Sequence, residues 1–332
     1  MTSRRSFLTS CAAIFVTVRT AEAQQAAKSR RLGHLNSGLA AQWASGGRLH
    51  YLRRAWLGGL AELGYDEQQN LAVEWRFAEG KVERLPELAA DLVRVGVEAI
   101  VAAGPAAIEA TKKATANIPI VAIDLESDPV GAGYARSLGR PGGNITGVFL
   151  DQAELSGKWL ELLKQAVPRL SRVGVVWDST TPLYQRQAVE TAGKTLAINV
   201  HTFEVGRAGD LEAVFVAAGR DSVQGVVILS SPLLFRHGSD LATWAAARRL
   251  PTIALFRESA VAGCLMAYGP VLADAYRHVG VLAAKLLNGA RPSDTPIERP
   301  ARFEFVINMK TAKTLGLTIP PLLLLRADQV IE

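Results

Sequence analysis

Residues 118–151, IPIVAIDLESDPVGAGYARSLGRPGGNITGVFLD, decide how the rest of the chain is read. Residues 119–123 are an apolar run of strand length. The run turns acidic at Asp124, Glu126 and Asp128 and passes through a short helical pattern. It breaks at Pro141-Gly142-Gly143 and resumes as a second β-rich run over residues 144–150. Everything before this stretch reads as one α/β unit and everything after it as another. The stretch is therefore expected to line a cleft with residues 124–130, and then to carry the chain across a hinge with residues 141–150.

Upstream, strands at 31–36, 71–77, 97–102 and 119–123 alternate with helices. The first helix puts Leu49, Leu52, Trp56, Leu60 and Leu63 on one face and stops at Gly64; the second covers 81–95. The third, 106–116, is opened by Gly104-Pro105, and a proline there is pre-organised for the first helical position. Strands separated by helices in this way build a parallel, doubly wound sheet. Downstream the rhythm restarts, with helices at 154–167, 184–196, 211–219 and 240–249. They separate strands at 172–177, 200–205, 225–229 and 251–256, with a further strand at 264–268. A long amphipathic helix at 271–287 then leads through the Pro-rich link 291–300 to a strand at 303–307 and a short helix from Lys310. The apolar run 320–325 is too short to span a bilayer and is expected to dock the tail. The fold class expected is α/β: two doubly wound parallel-sheet lobes joined by a hinge of three crossovers. One lobe is 31–148 plus 269–297 and the other 149–268 plus 298–332.

A chain of 332 residues is long enough for two packed lobes, and 49% hydrophobic with 20% charged residues is globular composition. Ser3-Arg4-Arg5-Ser6-Phe7-Leu8 has the form of a twin-arginine export signal, with an apolar run at 11–18 and an Ala21-Glu22-Ala23 cleavage pattern. Residues 1–23 are thus expected to be a signal peptide removed after Ala23, giving a periplasmic protein. Cys11 precedes the apolar run rather than ending it, which argues against a lipoprotein. Loss of Arg4, Arg5, Arg19 and Glu22 takes the net charge from +6 to +4. The bases are scattered with no Lys/Arg block interleaved with aromatics, so nucleic acid is not an expected partner. After cleavage Cys264 is the one cysteine left, which excludes an intrachain disulfide and suits a small buried hydrophobe.

Catalytic signatures are missing from the sequence. His34, His50, His201, His237 and His278 lie far apart, without metal-ligand spacing, and there is no G-x-S-x-G elbow or P-loop. Gly131-Ala132-Gly133-Tyr134-Ala135-Arg136 has Arg where a dinucleotide fingerprint needs its third glycine, so it reads as a helix start packed by small residues. No cofactor and no metal are expected. Binding features are better represented, because ligands of open α/β sheets sit beyond the carboxyl ends of the strands. Those ends supply the candidate ligand-binding residues Ser37, Gly104, Pro105, Ala106, Asp124, Asp128, Trp177, Ser230, Ser231, Arg257 and Tyr268. They combine aromatic rings, hydroxyls, carboxylates and a guanidinium, the mixture that holds a small polar ligand with a flat or apolar part. A structural reading stands beside each: Trp177 as core, Arg257-Glu258 as an ion pair, residues 124–128 as a turn and N-cap.

Several motifs resemble the ABC-transporter substrate-binding proteins of the tryptophan/tyrosine-type family. They are Leu32-Gly33-His34-Leu35-Asn36-Ser37-Gly38, Glu74-Trp75-Arg76-Phe77-Ala78-Glu79-Gly80, Asp128-Pro129-Val130, Arg140-Pro141-Gly142-Gly143-Asn144-Ile145-Thr146-Gly147, Tyr268-Gly269-Pro270 and Phe303-Glu304-Phe305-Val306-Ile307-Asn308. Together they span essentially the whole chain after residue 30. The resemblance implies a type I periplasmic-binding fold, a ligand enclosed by hinge closure, and an ABC permease and ATPase as partners. Two positions depart from the family pattern. Gly104-Pro105-Ala106-Ala107 lacks the threonine often found there, and Trp177-Asp178 stands where an Asn-Pro pair is common.

The function expected is therefore that of an exported, non-catalytic, monomeric solute-binding protein. It would deliver a small organic solute (an amino acid, an aromatic carboxylate or similar) to an ABC importer. The alternative is a periplasmic sensor presenting bound solute to a membrane receptor or kinase. A regulator of the lac-repressor type would need a DNA-binding helix-turn-helix where this chain has an export signal.

Overall fold

The computed structural model describes residues 29–150 and 152–332, with side chains in the second segment described from Leu155 onward. The export signal expected over residues 1–23, its cleavage after Ala23 and the Cys11 question lie outside the described residues.

The first lobe is built from β1 (Arg30–Asn36), α1 (Ala40–Trp43), α2 (His50–Ala61), β2 (Leu71–Phe77), α3 (Leu85–Val95), β3 (Ala99–Ala103), α4 (Pro105–Ala114), β4 (Ile120–Asp124) and β5 (Ile145–Phe149). Its five strands are all parallel, in the order β2-β1-β3-β4-β5. The strands β3, β4 and β5 are buried throughout, which is why they read as continuous apolar runs rather than alternating ones.

The second lobe follows with α5 (Gln152–Ala166), β6 (Arg172–Asp178), α6 (Tyr184–Thr195), β7 (Asn199–Val205), α7 (Leu211–Arg220), β8 (Gly225–Ile228), α8 (Pro232–Arg236), α9 (Gly238–Ala247), β9 (Thr252–Ala254), α10 (Arg257–Val261) and β10 (Met266–Pro270). The chain returns to the first lobe as α11 (Leu272–Leu287), then crosses back as β11 (Phe303–Asn308), α12 (Met309–Leu315), α13 (Pro321–Leu324) and β12 (Gln329–Ile331). The seven-stranded sheet runs β12-β11-β10-β9-β8-β6-β7, parallel except where β11 opposes β10. The chain thus passes between the two sheets three times: after β5, after β10, and between Glu298 and β11. Glu298 itself lies against β5, donating its N–H to the Gly147 carbonyl and accepting from the Phe149 N–H, each at 2.9 Å.

Three expectations change. No helix follows the acidic turn. Residues 129–135 form tight turns, with the Ala132 N–H bonded to the Asp128 carbonyl and the Tyr134 N–H to the Pro129 carbonyl. Gly131 packs its α-carbon so close to Asp128 that a Cβ there would lie 2.7 Å from the carboxylate, so the small residues serve a turn rather than a helix start. Second, the stretch 141–150 is mostly strand β5 and its approach, and the crossing comes only at its end, after Leu150. Gly142 has φ of +75° and donates its N–H to the Ser293 carbonyl at the amino end of β5, far along the strand from the crossing after Leu150. Third, α8, α10 and β12 were not foreseen, because each is five residues or fewer and too short to show a period.

The α11 helix fixes the second passage by lying directly on α2. A Cβ on Gly280 would sit 2.1 Å from the Trp56 carbonyl oxygen, and one on Gly59 would sit 1.9 Å from the Arg277 carbonyl oxygen. The two glycines let the backbones touch. Beneath them, His34 is fully buried between Trp43, Trp56 and Trp75, with ring centroids 4.7–5.2 Å away. Burial pushes its pKa down to about 3, so this histidine is neutral packing. Cys264 is buried as expected, and burial pushes its thiol up to about 11.

Candidate functional site

The carboxyl ends of both sheets face each other across one cleft, as parallel α/β topology requires. From the first lobe come Asn36 and Ser37 after β1, Ala103 and Gly104 after β3, and Leu125 and Glu126 after β4. From the second come Ser230 and Ser231 after β8 and Phe256 after β9, with Phe235 and Arg236 from α8. Trp43 at the end of α1, Leu49 just before α2, Leu52 on α2, and Leu272 and Tyr276 on α11 complete the wall. The cavity left between the closed walls is about 100 Å³, smaller than the roughly 300–1,000 Å³ of small-molecule sites.

Its walls are largely apolar and include four aromatic rings. Trp43 meets Tyr276 edge-on at 5.4 Å between centroids, and Phe235 meets Phe256 edge-on at 5.3 Å. These rings offer a flat or apolar solute large contact area at little entropic cost.

The polar groups divide into an acidic floor and a basic edge. Asp124 and Glu126 are buried at the carboxyl end of β4. Asp124 Oδ1 accepts the N–H groups of Glu126 and Ser127 at 2.9 and 3.0 Å, which fixes the tight turn. Burial raises the pKa of Asp124, and burial together with the Asp124 charge pushes Glu126 up to about 8. The phenol of Tyr276 is raised too, by burial and then by the Glu126 charge. On the basic edge, Arg236 is lowered by burial, against which the Asp178 carboxylate acts. Its Nε has no hydrogen-bond partner among the described residues.

The lobes are closed on one another. Ser230 Oγ donates to Glu126 Oε1 at 2.5 Å across the cleft. At the mouth the Tyr51 hydroxyl donates to Glu258, and the Arg48 guanidinium lies 5.2 Å from the Phe235 ring centroid. A Cβ on Gly80 would lie 2.0 Å from Arg236 Nη1, so the arginine rests against the Gly80 backbone of the opposite lobe.

Of the residues expected from strand ends, the structure brings Ser37, Gly104, Ser230 and Ser231 together in this cleft. Ser231 also caps α8, its hydroxyl accepting the Leu234 N–H at 3.0 Å. Pro105 and Ala106 line an adjoining hollow shared with Asp178, Thr181 and Arg236. Asp124 lies directly behind Glu126. Asp128 lies in a separate hollow beside the first crossing, with Pro129 and Leu150. The remaining three are elsewhere. Trp177 is 5% exposed and packed in the core, with Arg186 stacked on its ring at 4.9 Å. Tyr268 packs against Phe303 and Phe305. Arg257 is exposed and donates to Gln329 of β12 at 2.7 Å, rather than pairing with Glu258. Sequence reasoning missed Trp43, Phe235, Arg236 and Tyr276, and placed Glu126 only within the cleft-lining stretch 124–130. Among the described residues no group of three or more metal-ligating side chains is gathered, and no helix is long and apolar enough to cross a membrane.

Residues 41–331 match the family model described as ABC transporter substrate binding protein. A tyrosine-binding protein of Clostridioides difficile (strain R20291) is 24% identical over 273 residues, covering 80% of this chain and 76% of its own length. The structure of an ABC domain in complex with L-Trp from Streptococcus pneumoniae superposes with a TM-score of 0.83 at 23% identity, over 92% of this chain and 100% of that one. The ligand-free, open structure of a Clostridium difficile substrate binding protein with adhesive properties gives 0.65 at 20% identity, over 91% and 99%.

Proposed function

The chain belongs to the family of ABC transporter substrate binding proteins, and from that premise we propose that it captures a small organic solute outside the cytoplasm and delivers it to an ABC importer. The family binds its substrate rather than converting it, and the fold is the two-lobed type I periplasmic-binding arrangement. The observation that carries the reading is the closed, aromatic-walled cleft at the carboxyl ends of both sheets, with polar groups from both lobes. A solute held there bridges the lobes and shifts the open–closed equilibrium by the difference in its affinity for the two states. The closed surface is what the permease and its ATPase would read.

Ser37, Gly104, Glu126, Ser230 and Arg236 are proposed as the polar contacts, and Trp43, Phe235, Phe256 and Tyr276 as the walls. The solute is then an amino acid, an aromatic carboxylate or a similar compound, in keeping with the tyrosine-binding relative and the L-Trp complex. A thermal-shift screen of the chain from residue 24 onward against amino acids and small organic acids tests this. At a hundredfold excess over Kd, a bound solute stabilises by about 2.7 kcal/mol. That corresponds to a rise of roughly 5–10 °C in Tm for lobes of this size. Saturable stabilisation by at least one compound, recovered unchanged, is expected. Turnover of a compound without such stabilisation overturns the reading.

A further inference from the structure

One buried carboxylate, Glu126, lines the cleft and a second, Asp124, lies behind it, with no buried cation among the lining residues to answer them. Asp124 and Glu126 are 0% and 5% exposed. Asp124 Oδ2 has no partner among the described residues. Glu126 accepts the Leu125 N–H at 3.2 Å and the Ser230 O–H at 2.5 Å, both uncharged donors. The groups that face this floor from the other elements are Ser230 beyond β8, the Tyr276 phenol on α11 and, on the Asp124 side, the Tyr134 phenol of the turn 129–135. Arg236 on α8, the guanidinium of the cleft wall, has Asp178 as its nearest opposing charge instead. Trp43, 3% exposed, lines the same cleft with its indole N–H also unpartnered.

Two adjacent carboxylates cannot both stay ionised in a closed, desolvated site without a counter-charge. An empty cleft answers this with a proton, and burial pushes Glu126 up to about 8 accordingly. A solute can answer it with a cationic nitrogen. We infer that Glu126, backed by Asp124, is the specificity-determining subsite for an ammonium group. This cleft therefore takes amino acids or amines with an apolar or aromatic body in preference to plain carboxylates. The inference rests on the solute-binding reading above and narrows it.

An ammonium N–H donating to Glu126 leaves the carboxylate ionised, with Ser230 closing over its other lone pairs. Arg236 remains free to meet a solute carboxylate. With Asp178 balancing Arg236 and one member of the acid pair ionised, a zwitterion adds no net charge to the cleft. An anion without the amine adds a second uncompensated negative charge.

Isothermal titration with matched pairs tests this: L-tryptophan against indole-3-propionate, L-tyrosine against 3-(4-hydroxyphenyl)propionate, and L-leucine against 4-methylpentanoate. The wild-type protein is expected to bind at least one amino acid more than tenfold tighter than its deaminated partner. Glu126→Gln keeps the hydrogen-bonding shape without the charge. It should weaken the amino acid roughly 10- to 100-fold, the range of a lost charge-assisted bond. The deaminated partner should change by less than about threefold. A deaminated acid that binds the wild-type protein as tightly as its amino acid overturns the inference and leaves the solute-binding reading standing. Binding by no compound of either kind overturns both. The wild-type comparison decides the matter whether or not Glu126→Gln folds.

Discussion

Ser230→Ala is the substitution whose effect separates the closed state from the folded state. The Ser230 main chain is pinned within its own lobe by Gln185, which accepts its N–H at 2.9 Å and donates to its carbonyl at 2.8 Å. Among the described residues its hydroxyl bonds only across the cleft, to Glu126, 104 positions away in sequence. Removing the hydroxyl therefore costs the second lobe nothing it uses to fold. It leaves Glu126 Oε1 buried and short of one donor whenever the lobes close. A buried bond of this kind is worth about 1–3 kcal/mol. At tenfold per 1.4 kcal/mol, affinity should fall roughly 5- to 150-fold. Most of the change should appear in the dissociation rate, because the bond exists only after closure. Calorimetry gives the affinity and stopped-flow tryptophan fluorescence the rate, with L-tryptophan or L-tyrosine as the solute. The Tm of the empty protein should stay within about 1 °C. Unchanged affinity, or an early melt with normal affinity, would refute the reasoning and make Ser230 merely structural.

Gly280→Ala places a Cβ 2.1 Å from the Trp56 carbonyl oxygen, so α2 and α11 must separate. Overpacking of this sort costs about 1–3 kcal/mol, and a Tm lower by roughly 2–10 °C is expected in a thermal melt. Closure of the empty protein should depend on pH. Glu126 has its pKa raised in the closed state and regains its ordinary value of about 4.5 when opening exposes it. The closed state thus holds the proton more tightly, so its advantage is complete below about pH 4.5 and is lost as pH rises through about 8. Small-angle scattering should show a more compact empty protein at pH 5 than at pH 8.5, and the reverse trend contradicts the assignment. Cys264 is buried with its thiol pushed up to about 11, so iodoacetamide should label it only after unfolding, as mass spectrometry will report.

The alternation of strands and helices was legible because most strands of both sheets are buried on both faces and announce themselves as apolar runs, as 119–123 and 225–229 do. Topology then placed Ser37, Gly104, Ser230 and Ser231 correctly at one cleft, since strand ends converge whatever the side chains are. The same rule misplaced Trp177 and Tyr268, because it gives the end of a strand without giving the face. Residues alternate along a strand, and Trp177 turns into the core while Asp178 lines the hollow beside α4. Glu126 was in the stretch that decided the fold, yet it lies past the strand, where only the turn made by Asp124 aims it inward. Trp43, Phe235 and Tyr276 were hidden for another reason. They sit on helices whose apolar faces look the same whether they cover a core or a ligand. Arg236 belongs to a helix of five residues, below the length at which a period shows. The crossing was displaced because Pro141-Gly142-Gly143 is the strongest break in its stretch. That break starts β5, and the chain leaves the lobe only after the strand has been laid down.

The most direct test of the account is a crystal structure of the protein grown with the solute that stabilises it most. Density for that compound is expected between the Trp43, Phe235, Phe256 and Tyr276 rings, with its nitrogen within 3.2 Å of Glu126 and the Ser230–Glu126 bond intact. A compound bound outside the cleft, or inside it with Glu126 turned away to another partner, would contradict the account.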